Sequence, residues 1–140
     1  MSIYLDTSVA VSLFVHDPHS ARVEAWLSTD PQHVTLSAWT AAEFSSALAR
    51  RERIGQTTPV DRAAAERSFD LWVATFAQDA PVLAQDFEFV REIIRHDRAR
   101  LRTPDALHLA IVYRIGAKLA TLDTDLAQAA QAIGIATEAL

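Results

Sequence analysis

Two apolar runs, residues 2–5 and Lys118–Leu122, each end on an aspartate, Asp6 and Asp123, and helical patterns fill most of the chain between them. Val34–Leu36 reads as a further short strand, Pro81–Leu83 as a weaker one and Ile135–Thr137 as a fifth. The segments 20–28, 37–53, 61–77, 86–97, 103–116 and about 124–133 carry helical spacing and punctuation. Ser37 suits an N-cap, and Asp86 suits the cap of the helix that follows it. Thr103 at N-cap, Pro104 at the first helical position and Gly116 just past the end mark a complete helix. Short strands alternating with helices define an α/β layer fold with a mainly parallel sheet. Such sheets build their sites outside the carboxyl ends of the strands.

At 140 residues, half of them apolar, the sequence suits one domain over 1–140 with a sizeable core. Cysteine is absent, which excludes disulfides, thiolate zinc sites and cysteine nucleophiles. The N-terminus lacks a signal-peptide pattern, and no apolar run is long enough to span a bilayer, so the expectation is a cytoplasmic protein away from membranes. A net charge of −5 is the wrong sign for a nucleic-acid binder with a basic face. Setting aside four carboxylates for a metal brings that sum close to neutral, so the distribution of charge matters more than its total.

Four acids stand where a parallel sheet gathers its loops. Asp6 and Asp123 follow strands, Asp105 opens a helix, and Glu43 lies among small residues in the second turn of another. Each alone has an ordinary explanation: a turn residue, a helix cap, a first-turn acid facing the dipole, a solvated helix position. Together they describe a pocket in which ionised carboxylates repel until one takes a proton or a cation arrives. Hard oxygen donors without a His–Cys set suit Mg²⁺ or Mn²⁺. Such an ion acidifies water and neutralises a phosphodiester, which is nuclease chemistry without a serine or histidine nucleophile.

The stretches "YLDTS" at 4–8, "AAEFSSAL" at 41–48, "LRTPDALHLA" at 101–110 and "LATLDTDL" at 119–126 resemble, in order and separation, the PIN domain family, specifically its VapC-type toxin ribonucleases. The resemblance covers essentially the whole chain. It implies a three-layer fold with a central parallel sheet of about five strands flanked by helices. It also implies a metal-dependent endoribonuclease with Asp6, Glu43, Asp105 and Asp123 as an acidic quartet. Asp6, Asp105 and Asp123 would hold Mg²⁺ (or Mn²⁺), and Glu43 would help position the metal or the attacking water. Ser8 would steady Asp6, Thr121 stands at a small-hydroxyl position of the fourth motif, and Asp125 is a second acid beside Asp123. Leu126 departs from a frequent aromatic. The partners implied are RNA, a VapB-like antitoxin and a second copy in a homodimer.

Other signals have two readings. "RHDRARLR" at 95–102 sets four arginines against one aspartate, and Arg98, Arg100 and Arg102 are candidate RNA contacts or a solvated helix end. "RRER" at 50–53 is better explained by the helix C-terminus. His108, one turn past Asp105, fits a core or supporting hydrogen bond better than a general acid. Phe69, Trp72, Val73 and Phe76 form a stripe that is either core or a groove for a partner helix. A haloacid-dehalogenase-like phosphatase would need an acid where Ser8 stands. The alternative function is a catalytically weak PIN-like module that mainly binds antitoxin or RNA.

Overall fold

The computed structural model describes residues 1–31, 33–96 and 100–140. In chain order the elements are β1 (Ile3–Leu5), α1 (Thr7–Phe14), α2 (Ser20–Leu27), β2 (Val34–Leu36), α3 (Ala38–Arg53), α4 (Pro59–Phe76), β3 (Gln78–Asp79), α5 (Ala84–His96), α6 (Thr103–Ile115), β4 (Lys118–Ala120) and α7 (Thr124–Ala132). The four strands form one parallel sheet in the order β3-β2-β1-β4. Tyr4 pairs with Thr35 on one side and Leu119 on the other, so β1 is central.

A central parallel strand is buried on both faces and needs no polar alternation. β1 is buried throughout, and its side chains part by the two-residue period of a strand. Ile3 and Leu5 join a core with α1–α4, including Val9, Val23, Phe44 and Phe69. Tyr4 joins the opposite core with α5–α7, including Ile93, Leu109, Ile111 and Leu126. The result is a helix–sheet–helix sandwich with its strand ends at one edge.

α6 runs buried from Ala106 to Val112 and ends on Gly116 at φ 65°, the left-handed conformation glycine adopts without a Cβ clash. Burying Leu109 or Ile111 stabilises the fold by about 1.5–3 kcal/mol each. α5 is fastened to α6 by Arg114, which donates to the buried Asp86 carboxylate at 2.6 and 3.0 Å and to the Pro81 carbonyl.

Several sequence expectations need correction. Among the described residues the sheet has four strands, not about five: residues 135–137 contribute only an isolated parallel bridge, Leu119 to Thr137. The third strand is Gln78–Asp79, not 81–83. Two exposed polar residues pair there through backbone alone, so no apolar pattern marks them. Helix α6 begins at Thr103, with Arg102 as an N-cap lacking a side-chain bond. Asp86 lies inside the first turn of α5 and accepts the Leu83 N–H at 2.8 Å, the reach-back half of a capping box. The aromatic stripe divides. Phe69 is core, stacked on Phe44 at 4.1 Å, Trp72 packs on Phe14 at the margin, and Phe76 is 68% exposed.

Candidate active site

Asp6 is the first residue beyond β1, and its backbone N–H still reaches the Ala120 carbonyl of β4 at 3.1 Å. Its carboxylate is the N-cap of α1, accepting from Val9 N–H at 3.2 Å. Two hydroxyls complete its setting: Ser8 donates to Oδ1 at 2.6 Å and Thr121 to Oδ2 at 2.5 Å. The same hydroxyls accept from the loop after β4, Ser8 from Leu122 N–H and Thr121 from Asp123 N–H, both at 3.0 Å. The Thr121 hydroxyl thus links Asp6 directly to Asp123, and the Ser8 hydroxyl links Asp6 to the neighbouring Leu122. Asp123 Oδ1 caps α7, accepting Asp125 N–H at 2.9 Å and Leu126 N–H at 3.1 Å.

Glu43 reaches the same edge from α3. Its Oε1 accepts from Thr7 Oγ1–H at 2.8 Å and from His108 Nε2–H. The donor on His108 must be Nε2, because an ionised carboxylate only accepts. His108 is buried, and its Nδ1 lies 2.9 Å from the Tyr4 hydroxyl. That hydroxyl also meets Ser37 Oγ at 2.6 Å and Thr40 Oγ1 at 3.1 Å. Ser37 in turn caps α3 by accepting Thr40 N–H. A chain of hydrogen bonds therefore fixes the position of Glu43 from the centre of the sheet, and polar networks this buried hold only when every member is satisfied. Among the described residues no buried side-chain nitrogen or oxygen lacks a partner.

Asp105 occupies the first turn of α6 and pairs with Arg102 Nε at 3.3 Å. The start of α6 is pinned to α3 by Trp39, whose indole N–H donates to the Pro104 carbonyl at 3.2 Å. Asp105, Asp123 and Asp125 border one cavity of about 1030 Å³, together with Arg100 and Arg102. Its lining also includes the apolar Phe89, Ile93 and Leu126. Asp6 and Glu43 are not among the residues lining it. Arg98 lies outside the described residues.

The two inner acids carry opposite electrostatic shifts. Burial pushes Asp6 above the usual carboxylate range, against the Ser8 and Thr121 hydroxyls and the charge His108 carries when protonated. Burial also pushes Glu43 up, but the His108 hydrogen bond and charge, the Thr7 hydroxyl and the Arg102 charge outweigh it and leave Glu43 below its ordinary value. Burial raises the Tyr4 phenol well beyond its usual range, so it stays a neutral hydroxyl.

Among the described residues, no three acidic or imidazole side chains are grouped closely enough to hold a metal ion. The donors at this edge are all carboxylate and hydroxyl oxygens. Mg²⁺ takes one or two protein carboxylates and keeps its waters, so this donor chemistry fits such an ion without a closed cage.

Tyr4 and Thr7 were not singled out by sequence reasoning. A tyrosine inside an otherwise apolar strand is a usable signal, because its hydroxyl needs a buried partner. Nothing in the sequence marks Thr7 beyond its place after Asp6.

A parallel sheet between two helix layers, with carboxylates at the ends of β1 and β4, defines an α/β protein with an acidic edge site. The PIN domain family model matches residues 3–132, and the chain belongs to that family. No curated protein sequence matches it. Among solved structures it is similar to VapC20 of Mycobacterium tuberculosis, described as a sarcin-ricin loop cleaving toxin, with a TM-score of 0.78 and 22% identity over 99% of this chain and 100% of that one. It is also similar to VapBC2 of Rickettsia felis bound to a promoter DNA fragment (TM-score 0.71, 14% identity, 99% and 98% covered). A third likeness is to FitAcB of Neisseria gonorrhoeae (TM-score 0.69, 22% identity, 98% and 96% covered).

Proposed function

We propose that this chain is a metal-dependent endoribonuclease and the toxin of a toxin–antitoxin pair, acting in the cytoplasm. Asp6, Glu43, Asp105 and Asp123 form its acidic quartet, with Asp6, Asp105 and Asp123 holding Mg²⁺ or Mn²⁺. The observation that carries this reading is Asp6: a carboxylate 4% exposed, at a strand end, oriented by two hydroxyls and raised in pKa by burial. A buried anion in such a place is costly unless a cation compensates it.

Bound there, the dication would supply charge that acidifies water and offsets the charge of the phosphodiester. The chain's own groups do the rest. Ser8 and Thr121 keep the Asp6 oxygens in one orientation. Glu43, held below its ordinary pKa, is ionised at neutral pH. Its Oε1 takes Thr7 and His108, which leaves Oε2 to accept an O–H of the attacking water and aim its lone pair at phosphorus. His108 is a positioning residue here, occupied by Glu43 and Tyr4. Asp125 supports Asp123 through its backbone N–H, and Arg102 and Arg100 offer positive charge beside the cavity. The antitoxin partner belongs to the same reading, supported by a further similar structure described as a toxin–antitoxin complex from Klebsiella pneumoniae (TM-score 0.62, 20% identity, 88% and 88% covered), and the homodimer is carried over from the family resemblance.

The test is to map new RNA ends after controlled expression and to repeat the cleavage with purified protein and Mg²⁺ or Mn²⁺. Asp6→Asn is expected to abolish cleavage by more than about a hundredfold, above what loss of an outer partner of a metal ligand costs. Equal cleavage by a folded Asp6→Asn protein would assign the chain to binding instead.

A further inference from the structure

Asp123 borders two hollows. One is the cavity it shares with Asp105. The other is a groove of about 490 Å³ between α1 and the end of α3, where Thr7 and Ser8 face Arg50 and Arg51.

The charges in this groove are unequally engaged. Its carboxylates are Asp17 and Asp123. Asp17 accepts from Ser12 Oγ–H at 2.7 Å, His19 N–H at 2.8 Å and Ser20 Oγ–H at 3.3 Å. Asp123 caps α7. Arg50 and Arg51 have no carboxylate partner among the described residues, although Glu52 stands next to them and pairs instead with Arg62 at 3.1 Å. Arg102 and Arg114, by contrast, are both paired. A helix C-terminus favours basic residues in its last turn. That preference does not explain why Arg50 and Arg51 line the groove while Arg53, in the same turn, does not. An unpaired guanidinium presents a planar fork that matches a phosphate.

We propose that this groove binds the phosphodiester backbone of single-stranded RNA. Arg50 and Arg51 hold phosphates on one side of the scissile bond, and the strand continues past Asp123 toward Arg100 and Arg102. The proposal rests on the ribonuclease reading and extends it by naming the path of the substrate.

The experiment measures binding of a short single-stranded RNA of mixed sequence to Asp6→Asn protein with Mn²⁺ over a salt series, beside the KM of the cleaving parent. Substituting Arg50→Gln with Arg51→Gln is expected to weaken binding roughly tenfold and to flatten the salt dependence by about 0.7 per arginine. KM rises in step while kcat holds. The pair Arg50→Lys with Arg51→Lys recovers most of the salt dependence, and Arg67→Gln, on exposed α4, changes neither. If the parent cuts RNA but the double glutamine variant matches Arg67→Gln in affinity, salt slope and KM, the groove is not the RNA path. If that variant instead loses a glutamate-rich peptide and keeps the RNA, the groove belongs to a protein partner and the proposal fails. A parent that neither binds nor cuts RNA with Mg²⁺ or Mn²⁺ overturns the ribonuclease reading itself.

Discussion

Asp6 arrives at the sheet edge with both oxygens engaged and almost no exposure, whereas Asp105 stands 22% exposed on the rim of a cavity with Arg102 as its partner. Glu43 and Asp123 divide by what holds them, not by exposure: Glu43, though 25% exposed, is locked from the core by His108, and Asp123 is held by the helix it caps. The inner acids depend on contacts between residues far apart in the chain, such as Thr121 with Asp6 and His108 with Glu43. The outer ones depend on local helix geometry. On the proposed reading, the inner carboxylates, held by long-range contacts, set where the chemistry would occur, and the outer ones would meet what enters the cavity.

The largest break in this contrast after Asp6→Asn itself comes from His108→Leu. It removes the donor to Glu43 and a partner of Tyr4 while keeping apolar volume. RNA cleavage is expected to fall roughly tenfold to a hundredfold, as a small misplacement of the group that orients the attacking water does. Unfolding free energy should drop by about 2 kcal/mol, because a half-buried carboxylate loses its strongest partner. Denaturant melts and cleavage rates on the same preparations check both. Thr121→Val is the next step down. It deletes one hydroxyl from Asp6 and the acceptor of Asp123 N–H, and a loss of about 1 kcal/mol with a severalfold lower rate is expected. Burial then acts on Asp6 with less opposition, so the acid limb of the rate profile should move to higher pH.

A pH series sharpens the comparison within the inner pair. Asp6 has a folded pKa above its unfolded value, so the folded chain binds its proton more tightly. Its contribution to stability is full below the unfolded pKa of about 3.8 and is lost as pH rises through the folded one. Glu43 has a folded pKa below its unfolded value. Its contribution is full above the unfolded pKa of about 4.5 and is lost as pH falls through the folded one. Without metal at neutral pH, Asp6→Asn should therefore raise the melting temperature and Glu43→Gln should lower it, and both differences should fade in acid. The smallest effect is reserved for Asp125→Asn. Its exposed carboxylate makes no hydrogen bond among the described residues, and the structural link to Asp123 is its backbone N–H. Stability within about 0.5 kcal/mol of the parent is expected, with a cleavage rate close to unchanged.

The sequence carried the parts of this molecule that obey local rules. Ser37 starts α3 and Gly116 ends α6 because capping chemistry is written in single residues. Residues 2–5 and 118–122 read as strands because central parallel strands are continuous apolar runs. Gln78–Asp79 was illegible, since an exposed edge pair of polar residues is defined by its neighbour's backbone. The bridge at Thr137 was overread as a strand for the converse reason: an apolar pattern does not guarantee a ladder. At the site, the places of Asp6 and Asp123 after strands, of Asp105 in a first helical turn and of Glu43 in a second were legible. The hydroxyl lacing of Asp6, the Tyr4–His108–Glu43 chain and the groove beside Arg50 depend on which helices pack together, and no local spacing encodes that.

On the proposed reading, carboxylates distant in sequence share one hard dication. Calorimetric titration of Mn²⁺ into the metal-free protein tests it directly, with Asp6→Asn and Asp105→Asn titrated alongside. One inner and one outer acid acting together would give saturable binding in the parent and an affinity more than about tenfold weaker in each variant. Both variants should then also lose the rise in melting temperature that the ion gives the parent by mass action. Binding of equal strength in all three proteins, or no binding in the parent, would contradict the account.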